Sequence, residues 1–228
     1  MSPTAVVHNV IIRSPRWALV TLVILLAGTI TVAASALPAV PASILRSVGW
    51  ALVADDPVKP ADMIVLTTDA GPGELLEAAD LVHRGVATRV AVFPDPPNSL
   101  DRELIRRGVP YDDASVRFIR QLRFLGVSHV ERIPEAAGGT AEEGRVLPGW
   151  FARRSFRAVV VVTSPDHSRR LRRVLRRAMK DHQTKLMVRS ARYSQFDPDR
   201  WWQTRVGART GIVELQKLLL DVARHPIS

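Results

Sequence analysis

Residues 158–163 read AVVVVT, and Ala158–Val162 is apolar at every position. Successive side chains of a strand point to opposite faces, so such a run is stable only where both faces of a sheet are covered. Helices provide that cover, and the rest of the chain supplies them in alternation. Short apolar runs at Met63–Thr67, Arg89–Phe93, His129–Ile133 and Lys185–Val188 read as further strands. Amphipathic stretches at Glu74–Arg84, Asp112–Leu125, Thr140–Arg154, His167–Lys180 and Arg205–Ala223 read as helices. In the fourth of these, Leu171, Val174, Leu175, Ala178 and Met179 fall on one face at helical spacing. Alternation of this kind implies parallel pairing through crossovers. The expected fold is a three-layer α/β domain over residues 61–228, with a mostly parallel sheet of about five strands.

Ahead of this domain lies a different signal. Trp17–Leu37 is twenty-one residues without a charge, and a bilayer core of about 30 Å needs about 20 apolar residues in a helix. Arg13 and Arg16 precede the run, while Arg46 and then Asp55 and Asp56 follow it. By the positive-inside rule the N-terminus stays in the cytoplasm. The expectation is a cytoplasmic tail at 1–16, one N-terminal transmembrane helix at 17–37, a linker at 38–60, and a domain held outside the cytoplasm at the plasma membrane. Ala34-Ser35-Ala36 offers the alternative of a cleaved signal peptide. Both readings export the domain. The chain has no cysteine, which suits an oxidising compartment and excludes thiolate chemistry. Its net charge of +10 favours acidic partners.

Ligands of open parallel sheets sit beyond the carboxyl ends of strands, where loops enter helix N-termini. Thr163-Ser164-Pro165-Asp166-His167 is such a loop. Thr163 and Ser164 carry hydroxyl donors, Arg170 lies one turn inside the helix, and His167 can donate to an anion or act as acid or base. The plainer reading makes Asp166 an N-cap and the arginines a solvated face.

The stretch VVVVTSPDHSRRL resembles the "VTS-x-x-H-x-x-R-A" segment of the YdcF/SanA/ElyC-like family, with Thr163, Ser164, His167 and Arg170 at the matching positions. Gly139-Thr140-Ala141-Glu142-Glu143 is similar to that family's "N-T-x-E-N" helix start, matching at Thr140 and Glu142. Trp201-Trp202 followed by Glu214-Leu215-Gln216-Lys217-Leu218 resembles its closing "W…E-x-x-K-L" pattern. The likeness spans roughly residues 60 to 222 and implies a Rossmann-like sheet, an N-terminal membrane tether and a role in the cell envelope. The first half departs from the pattern. Leu66-Thr67-Thr68-Asp69 and Phe93-Pro94-Asp95-Pro96 stand where the family has glycine-rich turns, and glycines there would let a backbone approach a phosphate closely.

No H-E-x-x-H or H-x-x-E-H spacing, nucleophile elbow or Walker loop is present, so no metal site is expected and no cofactor is indicated. Between Arg153 and Lys180 stand ten basic residues and one acid. An exported domain would meet anionic lipid or envelope polymer with these rather than nucleic acid. The expected ligand is an anionic, phosphate-bearing molecule such as a lipid-linked precursor, held by Asp69, Thr140, Glu142, Thr163, Ser164 and Arg170. Two alternatives accompany this binding protein. One is an enzyme on the same substrate class with His167 as acid or base; the other is an interaction module whose pocket has decayed. Oligomeric state stays open.

Overall fold

The computed structural model describes residues 40–226, so the tail at 1–16 and the apolar run at 17–37 lie outside the described residues. Among those described, no helix is long and apolar enough to cross a membrane. Five strands, β1 (Met63–Leu66), β2 (Arg89–Val92), β3 (His129–Arg132), β4 (Ala158–Thr163) and β5 (Lys185–Ser190), form one sheet in the order β3-β2-β1-β4-β5. Every pairing is parallel. The architecture is α/β and Rossmann-like.

The pleat sorts the strand residues into two cores. Ile64, Leu66, Val90, Val160 and Val162 face α2 (Pro72–His83) and α4 (Ala114–Phe124). Met63, Val65, Ala91, Val159 and Val161 face α5 (Thr140–Arg153) and α6 (Pro165–Ala178). The four valines of β4 are therefore divided between the cores, and all are fully buried. Helices following β1 and β2 lie on one face, while those following β3 and β4 lie on the other. The chain changes face between β1 and β4, and in open parallel sheets that switch point, beyond the carboxyl ends of the strands, is where the ligand crevice forms.

The sequence reading assigned residues 38–60 to a linker. From Ala42 onward the structure makes them part of the domain. Helix α1 (Ala42–Leu52) buries Leu45, Gly49 and Leu52. Ala54 N–H donates to Ser168 Oγ at 2.8 Å, and Arg169 Nη2 donates to the Val53 carbonyl at 2.6 Å. Beyond α1 the chain runs along β5. Asp56 N–H donates to Val188 O at 2.8 Å, Val188 N–H returns a bond to Asp56 Oδ2 at 3.0 Å, and Ser190 N–H donates to Asp55 Oδ1 at 3.0 Å. This strap satisfies an edge that would otherwise expose unpaired backbone.

Two more elements were not expected. Helix α3 (Ser99–Arg106) buries none of its residues and is held at its start by the Asn98 side chain, which accepts from Leu100 N–H and Asp101 N–H. A short 3₁₀ turn at Trp201–Gln203 precedes the closing helix α7 (Arg205–Arg224). Trp201 is a packing residue: it is 3% exposed and its indole N–H donates to Leu45 O at 2.7 Å, tying α1 to α7.

Candidate functional site

Strand β1 runs out into Thr67-Thr68-Asp69, and β4 ends at Thr163. Ser164 takes the N-cap position of α6, Pro165 sits just inside the helix, and Asp166 falls in its first turn. A proline there lacks an N–H that the helix would leave unpaired anyway, so the cap precedes Asp166 rather than coinciding with it. His167 follows and is only 3% exposed. The third contributor is the start of α5, where Gly139 adopts φ 137°, a conformation open chiefly to glycine, and delivers Thr140 to the crevice.

The His167 ring is held at both nitrogens. Nε2 lies 3.0 Å from Thr140 Oγ1 and 3.9 Å from Asp69 Oδ2. Nδ1 lies 2.8 Å from Arg170 Nη2 and 3.3 Å from Glu214 Oε2. These two neighbours make opposite demands, because a guanidinium only donates and a carboxylate only accepts. The shorter contact is with the obligatory donor. Nδ1 is therefore the accepting nitrogen, and the ring proton sits on Nε2, turned towards Thr140 and Asp69.

Arg170 is the keystone of this arrangement. Its Nε donates to Glu214 Oε2 at 3.0 Å, Nη1 to Thr140 Oγ1 at 3.1 Å and Nη2 to His167 Nδ1 at 2.8 Å. A guanidinium so engaged is a scaffold for the histidine rather than a free anion receptor. Glu214 on α7 also accepts from Lys217 Nζ at 2.6 Å. Burial pushes the Glu214 carboxyl up, but hydrogen bonds from His167 and Lys217 and the charge of Arg170 outweigh it and bring it down to about 2. With the proton on Nε2 the His167 bond is absent, and the lowering rests on Lys217 and Arg170.

Of the residues singled out in the sequence, His167, Arg170, Thr140 and Asp69 meet here. Thr163 lies directly beneath, fully buried, with its Oγ1 3.4 Å from Thr67 Oγ1 across the β1–β4 seam. Ser164 is half-buried at the cap and makes no side-chain capping bond. Glu142 turns outward: its side chain is 48% exposed, pairs with Arg145 at 2.9 Å and accepts from Gly138 N–H at 2.6 Å. Glu143 occupies the interior instead. Its Oε1 accepts from Thr68 N–H at 2.7 Å and from Thr68 Oγ1 at 3.0 Å. Residues three apart share a helix face and residues two apart do not, so placing Thr140 inward already selects Glu143 over Glu142. Glu214 and Lys217 were missed as site residues too, although they are the acid and base of the E-x-x-K stretch.

Next to this cluster a cleft of about 300 Å³ opens over the ends of β1 and β2, lined by Thr67, Asp69, Phe93, Asp95, Arg117 and Phe118 among others. Asp69 belongs to both the cleft and the histidine cluster. Among the described residues, no group of three or more His, Cys, Asp or Glu side chains is placed to hold a metal ion. No family model matches the chain, and no curated protein matches it.

Proposed function

We propose that this chain is a membrane-anchored cell-envelope protein whose domain, held outside the cytoplasm, carries out acid–base chemistry on a small oxygen-rich substrate, with a phosphate-bearing envelope precursor as the favoured class. The clamped His167 ring carries this reading. One nitrogen is committed to Arg170, and the other directs its proton to the crevice, where its partners are a threonine hydroxyl and the half-exposed Asp69 carboxylate. A general acid or base needs such a fixed tautomer and orientation. The uncharged run at 17–37 and its arginine flank support the anchor. The positive charge and the likeness to the YdcF/SanA/ElyC-like family support a phosphate-bearing ligand. Thr140, His167, Arg170, Glu214 and Lys217, positions on which that likeness rests, converge on one cluster. Arg170 is engaged within the protein, so a ligand oxygen would meet His167 Nε2–H in place of its present partner Thr140 Oγ1.

The test follows His167 by ¹⁵N NMR in the full-length protein in micelles, with N-acetylglucosamine 1-phosphate, polyprenyl pyrophosphate and inorganic pyrophosphate as probes and phosphate release as turnover. The His167 resonance should move with one of them. His167→Gln should keep binding and lose turnover. Binding without turnover in the unaltered protein would make it a binding protein, and an unmoved His167 resonance with all three would remove the site reading. For topology, alkaline phosphatase fused after Ser228 should be active; activity from a reporter that works only in the cytoplasm would overturn the export assignment.

A further inference from the structure

Glu143 is 1% exposed, and only one of its carboxyl oxygens is satisfied. Thr68 fills Oε1 with two donors, its backbone N–H and its hydroxyl. Oε2 is fully buried, and among the described residues nothing donates to it or accepts from it. Buried polar atoms nearly always have a partner, and the two bonds from Thr68 prevent the carboxyl from turning to find another. The charged group it feels most is Asp69, at the crevice.

This geometry also locates a proton. Oε1 already accepts from the Thr68 N–H, which can only donate, and from the Thr68 hydroxyl, so a hydrogen on the carboxyl is best placed on Oε2, where it displaces neither bond. Burial pushes the Glu143 carboxyl up, and Asp69 adds to this, against lowering by the bonds from Thr68. Burial likewise raises Glu74 and Asp166 close by. Glu214 stays ionised, but Arg170 and Lys217 neutralise it. Burial thus shifts Glu143, Glu74 and Asp166 towards their neutral forms, while Arg170 and Lys217 counter Glu214.

We propose that Glu143 is a ligand-contacting proton donor of the crevice, its Oε2 hydroxyl donating to a phosphoryl or carbonyl oxygen of the molecule that also meets His167 Nε2–H. This rests on the reading of the crevice as a ligand site. It assigns a direct contact to a residue that the sequence placed in an ordinary first turn.

Two measurements on the full-length protein in micelles decide it. In a ¹³C-carboxyl titration without ligand, the resonance missing from Glu143→Gln should titrate above the ordinary 4.5; titration at or below that value overturns the proposal. Calorimetry with N-acetylglucosamine 1-phosphate and with inorganic pyrophosphate then tests the contact. Affinity should fall as pH rises through the Glu143 transition. Glu143→Gln, whose amide N–H₂ replaces the O–H, should bind within about threefold of the unaltered protein and lose that pH dependence, while Glu143→Leu should bind about tenfold more weakly or worse. Equal affinity for Glu143→Leu, or a pH-independent unaltered protein, means that Oε2 touches no ligand and overturns the contact. If neither probe binds, the functional reading and the contact both fail, and the ¹³C titration still reports whether Glu143 holds its proton.

Discussion

Arg170 Nη2 stands 2.8 Å from His167 Nδ1, one turn further along α6. This contact decides which ring nitrogen carries the proton, and the same guanidinium reaches Glu214 and Thr140. An arginine at a pocket rim would cost affinity when removed and leave stability alone. Arg170, with a side chain only 16% exposed, should do the reverse. Arg170→Ala leaves partly buried acceptors without a donor and should destabilise the domain by about 2–4 kcal/mol. With the donor gone, Nδ1–H can turn to Glu214 Oε2, 3.3 Å away, and the ring should change tautomer. Denaturant melts give the first outcome and ¹⁵N shifts of the His167 ring the second; an unchanged tautomer would show that Arg170 does not set it.

Glu214 and Glu143 tie stability to pH in opposite senses. The folded Glu214 value of about 2 lies below the ordinary 4.5. Its stabilisation is therefore complete above 4.5 and is lost as pH falls from there towards 2. One unit of such a shift is worth about 1.4 kcal/mol. Glu143 is raised above 4.5, so its contribution is complete below 4.5 and is lost as pH rises through the folded value. Glu214→Gln should flatten the acid limb of a stability–pH curve, while Glu143→Gln should raise its neutral limb. Urea midpoints from pH 2 to 8 measure both; parallel curves would dismiss both assignments.

What could be read in the sequence follows from where burial leaves a pattern. The β4 valines are apolar on both faces and declared a central strand, and the helix after them shows its inner stripe from Leu171 to Met179. Helix α3 buries nothing, so it leaves no stripe to read. Helix α1 does carry Leu45, Gly49 and Leu52 at helical spacing, but it follows a long uncharged run and begins just after Pro41. That proline reads as a stop, although a proline suits the entry to a helix equally well. At the site, the β4–α6 loop was legible because strand ends and helix starts are local. The partnership of Arg170 with Glu214 bridges 44 residues and depends on how α7 docks, which no local pattern encodes.

Glu77 is the other fully buried acid, at 0% exposure on α2, and its surroundings forecast a structural role. It accepts from Arg189 Nε at 2.8 Å, Arg192 Nε at 2.9 Å and Arg192 N–H at 3.2 Å, joining α2 to β5 and the segment after it. Burial pushes this carboxyl up, yet the hydrogen bonds from Arg192 and Arg189 prevail and hold it below its ordinary value. Glu77→Ala removes these bonds while Arg189 keeps Asp55 and Arg192 keeps Asp80, and should cost about 1–3 kcal/mol, with any ligand binding unchanged among folded molecules. A denaturation midpoint equal to that of the unaltered protein would show that the charges are solvated independently.

Trp201 provides a test of whether α1 belongs to the domain. Its ring lies in a notch of glycines: a Cβ at Gly211 would stand 2.5 Å from Trp201 Cε3, and one at Gly49 2.7 Å from Trp201 Cδ1. The ring can therefore approach α1 and α7 more closely than side chains at those positions would allow. Its N–H satisfies Leu45 O. Trp201→Ala removes both the packing and that bond and should destabilise by about 3–5 kcal/mol. Gly211→Ala, which fills the notch, should lower stability by about 1–3 kcal/mol through overpacking. Docked α1 also shields the strap over Val53–Lys59, so in both variants a protease should cut near Lys59 well before the rest of the domain. The strap in turn lies against Ser168 in the first turn of α6, the helix that carries His167 and Arg170. Loss of α1 should therefore reach the crevice as a shift of the His167 ring resonance. Early cleavage near Lys59 in the unaltered protein, with that resonance unmoved, would return the segment to the linker that its sequence suggested.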